Sequence, residues 1–303
     1  MIVLERGNGP LILCLPSSGT QIPPAIGKHL SATGRLQTDI SWHLDRLLDL
    51  AGELDATVIR STISRYVIDV DQFPSQAGGA ESHHLSELCP TTTYDRKRLY
   101  QLGQEPGPVE IEQRRILFYD PFHSALQQEV DRLRQMHETV LMFDCKSIRS
   151  KIKGYMDTEL PVINLGSANG QTCHPDLCLL MEGFFRNASM SVSLDDFFSK
   201  GYITDTYGNP KLGVNVLELV IAQRCYVRHE TPPFELERLG FARLKTTLGA
   251  AFASAIRWAA SAPDTAQTSG RDLPTENTIT SRLPDPGAGS KVGQDADKVL
   301  APS

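Results

Sequence analysis

Thr139-Val-Leu-Met-Phe-Asp144, running on into Cys145-Lys146-Ser147-Ile148-Arg149, is the stretch whose reading decides the fold. The apolar run is too short for an ordinary helix and holds a β-branched and an aromatic side chain. It therefore reads as a strand covered on both faces, the kind found inside an α/β sheet. Its polar end reads as a loop that starts at Asp144 and carries Lys146 and Arg149. Upstream, Pro108 to His137 has helical spacing, with Ile111, Ile116, Leu117, Leu126, Val130 and Leu133 on the inner face.

Working outward, Pro10-Leu-Ile-Leu-Cys-Leu15 is a second buried strand, closed by Pro16-Ser-Ser-Gly19. Ala56-Thr-Val-Ile59 and Tyr66-Val-Ile-Asp-Val70 are β-branched runs that predict strands. Thr38 to Ala51 places Leu44, Leu47, Leu48 and Ala51 at helical spacing. Val214 to Cys225 is another apolar run, and Leu236 to Ala260 reads as the last amphipathic helix. Strands alternating with helices give an α/β class. In such sheets ligands bind at the carboxyl ends of strands, so Pro16–Gly19 and Asp144–Ser147 are both site candidates.

Composition narrows the function. The 303 residues are 40% hydrophobic and 22% charged, enough to bury one sizeable core. We expect one folded domain over residues 1–261. From 262 to 303 the chain is rich in Pro, Gly, Ser, Thr and Asp without aromatics, and we expect a disordered tail. A net charge of −6 and no basic run argue against a nucleic-acid partner. No stretch reaches the roughly 18 apolar residues of a spanning helix, and no secretion signal is evident at the N-terminus. Six scattered cysteines without a CxxC pair fit reduced thiols in a cytoplasmic protein, with no membrane association and no structural zinc knuckle.

Six short windows carry a resemblance. In order they are Trp42-His-Leu-Asp-Arg46, Ser64-Arg-Tyr-Val-Ile-Asp69, Leu88-Cys-Pro-Thr-Thr-Thr-Tyr94, Asp144-Cys-Lys-Ser-Ile-Arg149, Leu160-Pro-Val-Ile-Asn-Leu-Gly166 and Gly201-Tyr-Ile-Thr204. Together they resemble the N-formylglutamate amidohydrolases (N-formylglutamate deformylases), over roughly residues 1 to 255. The resemblance implies a single-domain mixed sheet flanked by helices, a zinc-carboxypeptidase-like (phosphorylase/hydrolase-like) fold. It also implies amide hydrolysis of an N-formyl amino acid by zinc-bound water, with basic residues holding the substrate's carboxylates.

Position by position, the implied metal chemistry is depleted. Ser17 falls where the family has a ligand histidine, and Lys146 falls at the second. Val220 takes the place of a carboxylate. Asp205 and Gln72 fall where the family has arginines. Asp45, Arg46, Arg65, Asp69, Asp144, Ser147 and Arg149 are retained. A serine is a poor zinc ligand, an ammonium repels a dication, and valine moves no proton. Zinc binding is therefore expected to be weak or absent.

Several readings stay open. Asp144, Lys146 and Ser17 are the catalytic candidates. Lys146 either fills the vacated metal position, binding a carboxylate or balancing Asp45 and Asp144, or points to solvent. Ser17 or Cys145 with Lys146 as base would be metal-free chemistry. Arg65, Arg149, Arg46 and Thr204 are the substrate-binding candidates, suited to a small carboxylate-bearing ligand. A rebuilt metal site would draw on Asp45 with His43, Asp69, Asp71 or His83–His84. His123 reads as a structural hydrogen-bonder. The alternatives to a hydrolase are a non-catalytic relative that binds a small dicarboxylate, or a partner of a homologous subunit.

Overall fold

A computed structural model describes residues 1–74, 87–156 and 158–261. The expected tail and His83–His84 lie outside the described residues. The sheet has seven strands: β1 (Ile2–Glu5), β2 (Leu11–Leu15), β3 (Thr57–Ser61), β4 (Val140–Ile148), β5 (Ile163–Gly166), β6 (Val192–Leu194) and β7 (Val214–Ala222). Their order is β1-β3-β2-β4-β7-β5-β6. β3, β2, β4 and β7 run parallel, whereas β1 and β5 pair antiparallel with β3 and β7. This is the mixed α/β sheet flanked by helices that the sequence predicts.

Burial follows from position in that order. β2 and β7 are buried along their whole length, and β4 is buried except at Lys146. One face packs Leu13, Leu141, Phe143 and Leu219 against the helices Pro175–Asn187 and Arg238–Ser261. The other packs Ile12, Met142 and Val216 against the helix Asp120–Arg134 through Phe122, Leu126 and Leu133. Both faces are shielded from water, which is why the strands read as unbroken apolar runs.

Three expectations change. Asp144 to Ile148 is strand rather than loop, because β4 pairs with β7 as far as Ile148 opposite Ala222. Side chains therefore alternate across the sheet: Asp144 and Lys146 share one face while Cys145 points into the core on the other. Tyr66–Val70 is not a strand. The N–H groups of Val67 and Ile68 both donate to the Ser64 carbonyl, making a turn that is nonetheless buried. Ile116 and Leu117 are each 54% exposed, not inward. Arg115–Tyr119 is wound as a π-helix, and its wider turn shifts the phase of the apolar stripe.

Candidate functional site

Asp144 and Glu218 lie side by side in the β4–β7 register, with Lys146 opposite Val220 one pleat further on. All four stand on one face, over the ends of the central strands. The Lys146 ammonium donates to Glu218 Oε1 at 2.7 Å, to Asp71 Oδ2, and pairs with Asp144 Oδ2 at 2.9 Å. Asp71 is itself held twice: its N–H donates to Asp69 Oδ1, and its Oδ1 accepts the Ile203 N–H at 2.9 Å. Thr204 Oγ1 approaches Asp144 Oδ2 at 3.5 Å from the same short helix, Tyr202–Tyr207.

His123 fixes the segment that carries Asp71. Its Nε2 lies 2.7 Å from the Val70 carbonyl, so it must carry the proton, and its Nδ1 accepts from Tyr207 Oη at 2.9 Å. Burial holds this imidazole below its ordinary pKa, so it remains neutral. The structural role expected of His123 is the one it has.

Burial dominates the electrostatics. It pushes the Asp144 and Glu218 carboxyls up, against the pull of Lys146. Burial also pulls the ammonium of Lys146 down, but Asp144, Asp71 and Glu218 more than offset this, and Lys146 is raised. It therefore stays charged at neutral pH and is not available as a base. Asp144 Oδ1 and Glu218 Oε2 are buried and have no hydrogen-bond partner among the described residues.

Asp71, Lys146 and Glu218 form the floor of a cavity of about 320 Å³, which Ser17, Arg65, Ser147, Val220 and Asp205 also line, while Asp144 is fully buried beneath it. Arg65 is buried and grips Asp69 with two donors to Oδ2, at 3.0 and 2.6 Å. Its guanidinium lies 4.4 Å over the Tyr94 ring, which stacks on Tyr155. Ser17 Oγ pairs with Ser41 Oγ at 2.9 Å, not with Lys146. Cys145 is fully buried, and burial raises its thiol pKa, so it is no activated nucleophile. Val220 belongs to a small apolar cluster with Ile148 and Met156.

Other sequence candidates fall elsewhere. Arg149 Nη2 donates to Asp39 at 2.9 Å behind the cavity wall. Asp39 also accepts from Tyr66 Oη and from the Tyr94 N–H, so it ties three of the family windows together. Arg46 lies over the Phe241 ring, outside the cavity lining. Among the described residues Asp45 pairs only with Arg60, at 4.0 Å, and His43 Nε2 contacts the Phe234 carbonyl. Lys146 thus balances Asp71, Asp144 and Glu218, not Asp45. Sequence reasoning named Asp71 only for a rebuilt metal site around Asp45, and it did not single out Glu218. Glu218 did leave a signal, as a lone carboxylate inside the apolar run of β7.

The comparisons with known proteins agree with one another. The family model of N-formylglutamate amidohydrolase matches residues 9–227. An N-formylglutamate deformylase of Pseudomonas aeruginosa is 33% identical over 233 residues, covering 77% of this chain and 87% of that one. One of Pseudomonas putida is also 33% identical, over 239 residues with the same coverage. The crystal structure of an N-formylglutamate amidohydrolase from Ralstonia eutropha superposes with a TM-score of 0.75 at 22% identity, over 86% of this chain and 98% of that one.

The family is of the metal-dependent hydrolase type, and the donor set can be tested against that. Oxygens of Asp71, Asp144 and Glu218 lie within 4.8 Å of one another, an acidic group of the kind that holds a metal ion. The same group is bonded to the ammonium of Lys146. A dication placed among these oxygens would face that ammonium at close range, so the residues do not fit a resident metal while Lys146 is charged. By its sequence windows, its sheet and its matched relatives, the chain belongs to the N-formylglutamate amidohydrolase family and is amidohydrolase-like in kind.

Proposed function

We propose that this chain is a metal-independent, ligand-binding member of the family, in which the Lys146 ammonium stands in for a cation. The observation that carries this is the contact of one ammonium with Asp71, Asp144 and Glu218. An internal ammonium supplies positive charge to the floor of the cavity without an open coordination position for water. The cavity can then hold a small molecule, but it lacks a metal-activated nucleophile. Ser17 is bonded to Ser41, and Cys145 faces the core, which supports binding rather than covalent turnover.

Zinc is accordingly read as weak or absent. The cytoplasm is supported by six unpaired cysteines, as reducing compartments favour. No helix among the described residues is long and apolar enough to cross a membrane.

The test is elemental mass spectrometry after zinc exposure and dialysis, together with formate release from N-formylglutamate. We expect no retained zinc and no formate. Close to one zinc per chain with formate release would replace this reading with zinc-dependent hydrolysis at the three carboxylates.

A further inference from the structure

A second cavity, of about 830 Å³, adjoins the one described above. Tyr94, Tyr155 and Phe198 border both spaces, so the two meet at these rings. Tyr94 and Tyr155 stack at 5.5 Å with their planes 6° apart. Tyr94 and Phe198 also pack against the apolar cluster that holds Ile148, Met156 and Val220. The near cavity of about 320 Å³ is at the small end of the roughly 300–1,000 Å³ usual for a ligand site, and the two together exceed that range. The space suits a ligand of peptide length, with apolar side chains where the cavities meet.

A second observation concerns charge. In the near cavity Lys146 is bonded to its three carboxylates, Arg65 to Asp69 and Lys200 to Asp205. These cations are committed, so a neutral amide fits that end better than a carboxylate does. The far cavity is lined by Arg96, which is exposed and forms no ion pair among the described residues. Its neighbours Asp95 and Lys97 pair with each other at 2.8 Å. Glu87, on the same wall, accepts both the N–H and the hydroxyl of Thr91 at 2.7 Å, and Asp196 offers an acceptor to a peptide N–H. Arg96 stands at φ 61° in the turn from Thr93 to Lys97, a backbone that favours glycine, so the turn itself gives no reason for an arginine side chain there. An uncommitted guanidinium can take a carboxylate on two parallel N–H donors.

We propose that the two cavities form one elongated site for an N-acylated peptide that ends in a free carboxylate. This rests on the metal-independent, ligand-binding reading above and specifies its ligand. The acyl amide lies in the near cavity. Apolar side chains cross at Tyr94, Tyr155 and Phe198 and cover Ile148 and Val220. The carboxylate meets Arg96 in the far cavity. The ligand keeps the amide and carboxylate chemistry of the family but sets the two groups at opposite ends of a longer chain.

Isothermal titration of the full chain with N-formyl-Met-Leu-Phe, with its C-terminal amide and with N-formylglutamate tests this. We expect the tripeptide acid to bind at least about tenfold more tightly than N-formylglutamate, because its side chains bury apolar surface. We expect it to bind about tenfold more tightly than its amide, the order of one charge-assisted hydrogen bond. Arg96→Gly, which the left-handed backbone accepts, is expected to abolish the preference for the acid over the amide. Equal or tighter binding of N-formylglutamate, equal binding of acid and amide by the parent protein, a preference that survives in Arg96→Gly, or no binding of any of the three overturns the inference. Zinc retention with formate release would instead overturn the metal-independent reading, so the two failures are distinct.

Discussion

Lys146 and Glu218, 72 residues apart in sequence, meet at 2.7 Å across the β4–β7 pairing. Asp144, two residues before Lys146 on the same face of β4, completes the contact at 2.9 Å. The pairing of two parallel strands thus builds a charge cluster in the most protected part of the sheet. Its stability depends on every member, since removing one partner of a buried ion pair strands the others.

Lys146→Met removes the ammonium and leaves three carboxylates facing one another. We expect a loss of about 3–5 kcal/mol at neutral pH, measured by urea unfolding. The loss depends on pH. Burial raises Asp144 and Glu218 above their ordinary values of 3.8 and 4.5. A raised carboxyl favours the folded state fully below its unfolded pKa, and that contribution fades as pH rises through the folded pKa. In the variant no ammonium offsets this, so the deficit is smallest at acid pH, below the ordinary carboxyl values, and grows as pH rises above them. A deficit independent of pH would mean that lost packing, not charge, is responsible.

Introducing imidazoles tests whether the cavity floor can be made to hold a metal. Ser17 and Lys146 both line the cavity. The double substitution Ser17→His, Lys146→His adds two zinc ligands and frees the carboxylates from the ammonium. Zinc retention after dialysis is expected to rise from none to about one ion per chain. A folded double variant that retains none would show that these positions do not converge on one ion.

Gly201 explains one retained window through packing. A Cβ there would lie 2.6 Å from Asp71 Oδ2 and 2.7 Å from Lys146 Nζ. Both atoms are pinned by the cluster, so Gly201→Ala should cost about 1–3 kcal/mol, as overpacking does. Thermal unfolding of Gly201→Ala alone and combined with Lys146→Met measures this. A cost that persists undiminished in the double variant would place the clash elsewhere.

Arg46 serves as the contrast. It was a binding candidate by resemblance, yet its guanidinium lies 5.9 Å from the centroid of Phe241, outside the cavity. Arg46→Ala should cost at most about 1 kcal/mol, the worth of an exposed cation–π contact, measured by urea unfolding. A loss of about 3 kcal/mol or more would show that Arg46 does more than cover Phe241.

The sequence by itself determined the α/β class, the central strands β2 and β4, the last helix and the family, because buried strands and ordered motif windows are local signals. The resemblance drew attention to Ser17, Lys146 and Val220, all of which line the cavity. What Lys146 does was decided only by tertiary structure. A lysine two residues after an aspartate reads equally as solvent-facing or inward, and only the β4–β7 register, with Asp71 held by Ile203 and Asp69, sets three carboxylates around it. The fate of the arginines was hidden for the same reason. Asp39 and Asp95 lie far from Arg149 in sequence, and only the folded chain shows that Arg149 is held by this chain's own acids. The alternation of side chains across β4 was missed where the apolar run ended, because the strand continues into polar residues that a neighbouring strand, not their own hydrophobicity, holds extended.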